Sequence, residues 1–287
     1  MFDLLKVVIL GIVEGITEWL PISSTGHMLL LYRLFDINEQ DAFWSMFLVV
    51  IQLGAILAVV VMYFSRLWPF KLPDPKAQGA GKLTSMLQMP KIVMWLKIAV
   101  SCIPAVILGL TLDDWMEAHL YNYIVVAVML IVYGVLFILV ENRNRTRKPS
   151  VRKIGQISFR LALIIGVFQA LAIIPGTSRS GATILGGILL GMSRRCASEY
   201  TFFLAIPTMF GASLLKVIKF AAGGASMTGM QWVLLGVGMA VAFAVSIAAI
   251  KFLIGYIRQH DFKAFGIYRI GLGVVVLLFF AVSSLFV

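Results

Sequence analysis

Residues Glu14–His27 read E-G-I-T-E-W-L-P-I-S-S-T-G-H, a polar insert inside an otherwise apolar N-terminal segment. On a helix, Glu14 and Glu18 are four residues apart and share one face, a turn from each other. Pro21 stops that helix, because it has no N–H to give and its ring clashes with the preceding turn. Ser23, Ser24, Thr25 and Gly26 then form a short polar loop, and His27 opens a second apolar run, Met28–Leu31. A carboxylate at the middle of a bilayer costs about 2.5–3.5 kcal/mol on insertion scales. Such groups persist when they are paired, metal-bound or facing water.

The bilayer is the right setting. The chain is 61% hydrophobic over 287 residues, with a mean hydropathy of +0.98, whereas soluble domains hold about 45–50% apolar residues. It reads as an all-α polytopic membrane protein. Met1–Leu31 does not fit a cleavable leader, since it lacks a basic start and acids interrupt its apolar run. Cys102 and Cys196 have neither metal-ligand nor disulfide spacing. The formal net charge of +11 does not indicate nucleic acid: the basic residues cluster in loops between apolar segments, as the positive-inside rule requires. Only Glu14, Glu18 and Glu199 among the acids fall in or beside long apolar runs.

Six runs are long enough to span, near 43–65, 92–111, 122–140, 198–220, 231–256 and 265–286. Two more apolar segments are broken by polar loops: 4–31 around Ser23–Gly26, and 155–192 around Gly176–Ser180. Loop 66–91 carries Arg66, Lys71, Lys76, Lys82 and Lys91 with Pro69, Pro73 and Pro75; linker 141–153 holds six basic residues. Both belong in the cytoplasm, and the acidic turn at 112–121, with Asp113, Asp114 and Glu117, belongs outside with loop 36–41. If the broken segments are re-entrant hairpins, Arg194, Arg195, Arg258 and Lys263 fall on the cytoplasmic side. Eight full spans would put those four outside, and only Lys216 and Lys219 favour that arrangement. The expected architecture is six spans plus two re-entrant hairpins, whose non-helical backbone is tolerable where it lines a wet cavity.

Shifted by 155 residues, Gly11, Ser23, Gly26 and Leu30 fall on Gly166, Ser178, Gly181 and Leu185. Each half, 1–140 and 154–287, gives a broken hairpin and then three spans. Three crossings put the second hairpin on the opposite side, so the repeat is expected to be inverted, with a site at its interface.

The second broken loop, Pro175–Thr183, reads P-G-T-S-R-S-G-A-T. Thr177, Ser178, Ser180, Gly181 and Thr183 offer hydroxyls and close backbone approach at a helix start, which suits an anion. Arg179 adds a fork of donors that matches phosphate oxygens. Ser23, Ser24, Thr25 and Gly26 offer similar donors, so the two loops together make one polar pocket. Carboxylates beside a phosphate-binding arginine imply a bridging cation on Glu14 and Glu18. Magnesium suits oxygen ligands and phosphates, with calcium the alternative. Blander readings stand beside these. Membrane-helix hydroxyls commonly bond backbone, His27 can cap or pack, and the two glutamates can pair with Arg179 purely structurally. Glu199 is read as marking a span start near Arg194 and Arg195, and His119 and His260 as solvated.

The two motifs resemble the signature stretches of the bacterial undecaprenyl-diphosphate phosphatases, also called bacitracin-resistance proteins. The likeness covers essentially the whole chain, including A-S-E-Y at 197–200 and I-Y-R at 267–269. It implies hydrolysis of a C55 polyprenyl diphosphate to its monophosphate, recycling the carrier lipid for cell-wall synthesis. It also implies divalent-cation dependence, the bacterial plasma membrane, and a site open to the outer face. On this resemblance Glu14 and Glu18 hold the cation, Arg179 stabilises developing charge, and either Ser24 or a water attacks phosphorus with His27 as general base. Arg269 joins the substrate-binding set. The signatures of the acid-phosphatase-like lipid phosphatases are absent from the sequence. A transporter or flippase for an anionic lipid fits the inverted repeat equally well, and the sequence leaves monomer and homodimer open.

Overall fold

The computed structural model describes residues 2–38, 41–71 and 86–283. Pro73, Pro75, Lys76 and Lys82 of the first basic loop lie outside the described residues, as do the side chains of Asp113, Asp114 and Glu117. The described chain is helical, with two isolated β-bridges and no strand. In order the helices are α1 (Phe2–Thr17), α2 (Ser24–Leu34), α3 (Ala42–Val50), α4 (Gln52–Met62), α5 (Phe64–Leu67), α6 (Met89–Leu120), α7 (Tyr123–Asn144), α8 (Phe159–Ala170), α9 (Arg179–Leu189), α10 (Arg194–Ala222), α11 (Gly229–Tyr256) and α12 (Lys263–Ser283). Among the described residues, six stretches are long and apolar enough to cross a membrane: Ala42–Met62, Met89–Leu112, Tyr123–Asn144, Arg194–Ala222, Gly229–Tyr256 and Lys263–Ser283.

Polar residues at the starts fix where several helices begin. Asp41 accepts from the Phe43 and Trp44 amides (3.0 and 3.1 Å), and Asn122 and Ser158 cap α7 and α8 by accepting from Val125 and Leu161 (3.0 and 3.1 Å). These side-chain acceptors satisfy amides that have no partner in the first turn. The 112–121 segment is not a turn. Helix α6 continues through it to Leu120, because it contains neither Pro nor Gly, and the break comes at Tyr121–Asn122. The 43–65 span divides at Ile51 between α3 and α4. Helix α7 runs four residues into the 141–153 linker, where buried Glu141 accepts two bonds from Arg194 (2.9 and 2.5 Å) and one from the Phe262 amide (3.1 Å).

The helix contacts fall into corresponding pairs. Helix α1 lies along α11 as α8 lies along α6, α7 packs on α12, and α3 and α4 pack on α10. Gly11 and Gly166, one of the pairs matched by the 155-residue shift, occupy equivalent contacts. A Cβ at Gly11 would sit 2.8 Å from the Gly238 carbonyl oxygen, and one at Gly166 would collide with the Ser101 carbonyl. Each glycine lets two helix backbones touch. The main core gathers Trp19, Ile98, Phe137, Tyr200, Phe202 and Phe203, while Leu57, Val61, Ile107, Leu110 and Phe210 point outward. Only 22% of the Met89–Leu112 window is buried inside the protein. An apolar perimeter of that size suits lipid rather than water.

Candidate active site

Two helix–turn–helix units, α1–α2 and α8–α9, meet at their turns. Their helices are 16, 11, 12 and 11 residues long, below the roughly 17–25 needed to span. The turns share an uncommon backbone. Ser23 and Ser178 adopt left-handed φ values of 74° and 68°, a region costly for residues with a Cβ. Each is then the N-cap of the following helix, accepting from Gly26 N (3.4 Å) or Gly181 N (3.1 Å). The capping bond offsets part of the strain. The same solution therefore appears twice in one chain.

A buried arginine from α12 ties the two turns together. Arg269 is 0% exposed. Its Nη1 donates to the Pro21 carbonyl (3.3 Å), and its Nη2 donates to the carbonyls of Gly176 (2.8 Å) and Thr177 (2.9 Å). Its guanidinium carbon stands 5.5 Å from the Tyr133 ring centroid, and Gly181 leaves it room. Three carbonyls from two distant loops thus share one cation.

Between the turns lies a chain of polar contacts. Arg179 donates through Nη2 and Nε to Glu18 Oε1 (2.9 and 3.3 Å), and through Nη1 to the Thr201 carbonyl (3.1 Å). Ser24 Oγ donates to Glu18 Oε2 (3.1 Å). Glu14 is buried, and its Oε1 has no hydrogen-bond partner. A cavity of about 300 Å³ is lined by Glu18, Ser24, Thr25, Gln169, Ser178 and Arg179. A second, of about 690 Å³, is lined by Glu14, Ser24, Thr25, Tyr32, Gln52 and Pro175. Ser24, Thr25 and Gln52 line both, so the two cavities adjoin at the residue bonded to Glu18.

A family model described as bacitracin resistance protein BacA matches residues 7–275. The chain belongs to the BacA family. Proteins named undecaprenyl-diphosphatase from Enterococcus faecalis and Limosilactobacillus fermentum are 54% and 53% identical to it, over 98% and 99% of this chain and 98% and 100% of theirs. One of the same name from Desulfitobacterium hafniense is 54% identical over 99% of both chains.

Within this BacA-family fold, Glu18, Ser24 and Arg179 are in direct contact, and Glu14, Thr25 and Ser178 line the same space. Other residues singled out from the sequence line neither cavity. Ser180 reaches the Leu20 carbonyl (3.4 Å), and Thr183 Oγ1 donates to the Arg179 carbonyl (2.9 Å) while accepting from Thr201 (2.9 Å). Ser23, Gly26, Thr177 and Gly181 shape the turns. Arg269 holds them from behind.

His27 also lines neither cavity. Its Nδ1 lies 2.8 Å from the Ser23 carbonyl, which can only accept, so Nδ1 carries the proton and Nε2 accepts from the Tyr268 hydroxyl at 2.7 Å. Its ring stacks on Tyr268, and no hydrogen bond joins it to Ser24. Glu199 belongs to a different network, accepting from Arg66 (2.9 Å) and Arg195 (3.0 Å). Reading the sequence alone overlooks Gln52 and Gln169. The second had a signal: a shift of 155 residues sets it on Glu14.

Proposed function

We propose that this protein is an integral-membrane phosphatase that hydrolyses undecaprenyl diphosphate to undecaprenyl phosphate and inorganic phosphate, returning the carrier lipid to cell-wall synthesis. The observation that carries this reading is the Ser24–Glu18–Arg179 contact chain beside a cavity inside an apolar helical bundle. The name borne by relatives of more than 50% identity over nearly the whole chain supports the substrate.

The terminal phosphoryl group sits against Arg179, whose fork stabilises charge that develops on the equatorial oxygens. Glu18 Oε2 already accepts from Ser24 Oγ, so it is placed to take the hydroxyl proton. Ser24 Oγ then bonds the terminal phosphorus as the bond to the bridging oxygen breaks, and polyprenyl phosphate leaves with that oxygen. Glu18 gives that proton up to the departing phosphate, and water then hydrolyses the phosphoserine with the regenerated Glu18 carboxylate as base. Direct attack by a water in the place of Ser24 gives the same products. His27, tied to Ser23 and Tyr268, positions the start of α2 instead of exchanging that proton. The donors fit a divalent cation: Glu14 Oε1 is buried without a partner, and Glu18 Oε2, which accepts only from Ser24, retains an unused lone pair. Magnesium held there by Glu14 and Glu18, with calcium as the alternative, would neutralise charge on the phosphates.

A third cavity, of about 740 Å³, is lined by Cys102, Val106, Leu110, Pro207 and Leu214. It shares Ala105, Gly109, Thr208 and Ala212 with the small polar cavity. An isoprenoid chain fits this apolar continuation. The two helix–turn–helix units are re-entrant from opposite sides of the inner membrane, making the repeat inverted, and the site opens outward. The corresponding helix pairs are the one observation favouring a second reading, carriage of an anionic lipid across the bilayer. Purified protein given undecaprenyl diphosphate should release inorganic phosphate and the lipid monophosphate. Movement of intact diphosphate between leaflets with no phosphate released would select the second reading.

A further inference from the structure

Gln169 is an unusual residue to find in this cavity. It lies in the last turn of the first helix of the second helix–turn–helix unit, is 3% exposed, and neither its Nε2 nor its Oε1 has a hydrogen-bond partner within the protein. Burying an amide without partners costs roughly 1–3 kcal/mol by mutational measures. An isosteric apolar residue would avoid that cost, so packing does not explain the amide. The residue lines the same ~300 Å³ cavity as Glu18, Ser24, Ser178 and Arg179.

The correspondence between the two units shows what the amide could serve. Shifting by 155 residues places Glu14 on Gln169, Glu18 on Ile173 and Ser24 on Arg179. The shared Ser23 and Ser178 geometry supports that register, since both cap with φ near 70°. At the three positions, the first unit contributes two carboxylates and a hydroxyl. The second contributes a neutral amide, an apolar side chain and a guanidinium. The site is therefore polarised: proton- and cation-accepting groups on one half, anion-binding donors on the other. A carboxylate at 169 would face the phosphates with a like charge. The amide offers two N–H donors with no charge.

We propose that Gln169 is a substrate-binding residue whose side-chain Nε2 donates to a phosphate oxygen of the diphosphate beside Arg179. This deepens, and rests on, the phosphatase reading, and it assigns the second unit the task of holding the anion.

The test uses the purified full-length protein, with Gln169→Met to remove both polar atoms at similar volume and Gln169→Glu to replace the donor by a charge. Binding is read with a non-hydrolysable prenyl methylenediphosphonate, and turnover with undecaprenyl diphosphate. Loss of one hydrogen bond to a charged oxygen should raise KM and weaken analogue affinity by about 10- to 100-fold in the methionine variant. Its melting temperature should equal or exceed wild type, because an unpaired buried amide is gone. The glutamate variant should bind the analogue more weakly still. Unchanged KM and analogue affinity in the methionine variant would overturn the proposal. So would a lowered melting temperature with affinity intact, which makes Gln169 structural. Wild-type protein that binds the analogue but releases no phosphate would refute the phosphatase reading alone, and the analogue comparison would still decide Gln169.

Discussion

Replacing Arg269 with methionine removes the cation that holds both turns while keeping an unbranched side chain in its place. Three bonds are lost, to the carbonyls of Pro21, Gly176 and Thr177, all from a fully buried guanidinium. Leaving each carbonyl without a partner costs ~1 kcal/mol or more, which gives about 3 kcal/mol for the three before any compensation. Methionine also escapes the cost of burying a charge, which offsets part of the loss without restoring the link between the turns. At about 2–4 °C per kcal/mol for a chain of this size, the melting temperature should fall by up to roughly 6–12 °C. The free thiols of Cys102 and Cys196 allow the melt to be followed with a thiol-reactive dye in detergent. Phosphate release should fall with it, because Ser24 and Arg179 begin the helices that these turns position. A variant that melts like wild type yet has lost turnover would refute the reasoning and return Arg269 to direct contact with substrate.

Arg179 should behave in the opposite way. Arg179→Lys keeps the charge and loses the fork; phosphate release at saturating magnesium should drop by about 10²–10³-fold with melting nearly unchanged, and near wild-type turnover would reduce Arg179 to a counter-ion for Glu18. Ala212→Trp, at the junction of the polar cavity and the apolar one, should slow hydrolysis of the C55 substrate much more than that of a short prenyl diphosphate; equal effects on both would place the lipid chain elsewhere. A cysteine at Ser150, in the basic linker, should resist impermeant thiol reagents added to intact cells, and labelling from outside would reverse the assigned orientation.

The helical segments were legible because lipid demands long apolar runs, and all six spans lie where such runs occur. The pairing of Glu18 with Arg179 was within reach of motif chemistry, since an intramembrane carboxylate needs a partner. Boundaries set by specific contacts were harder. Helix α7 outlasts its apolar run because Glu141 meets Arg194, 53 residues away, and α6 carries its helix through an acidic stretch that charge alone marked as a loop. Arg269 looks like one more phosphate ligand in sequence. Only the fold shows that its Nη1 and Nη2 donate to carbonyls 92, 93 and 248 residues away. His27 sits three residues from Ser24, yet its Nε2 bonds to Tyr268, 241 residues distant, a partner that no local motif announces.

Hydrolysis of undecaprenyl diphosphate in ¹⁸O-labelled water tests most directly whether the Ser24–Glu18–Arg179 unit acts on the terminal phosphorus. Attack there, by Ser24 through a phosphoserine or by water itself, puts the label wholly in the inorganic phosphate, and the lipid monophosphate remains unlabelled. Label in the lipid monophosphate would mean attack at the inner phosphorus, and no phosphate release at all would remove the reaction from this site.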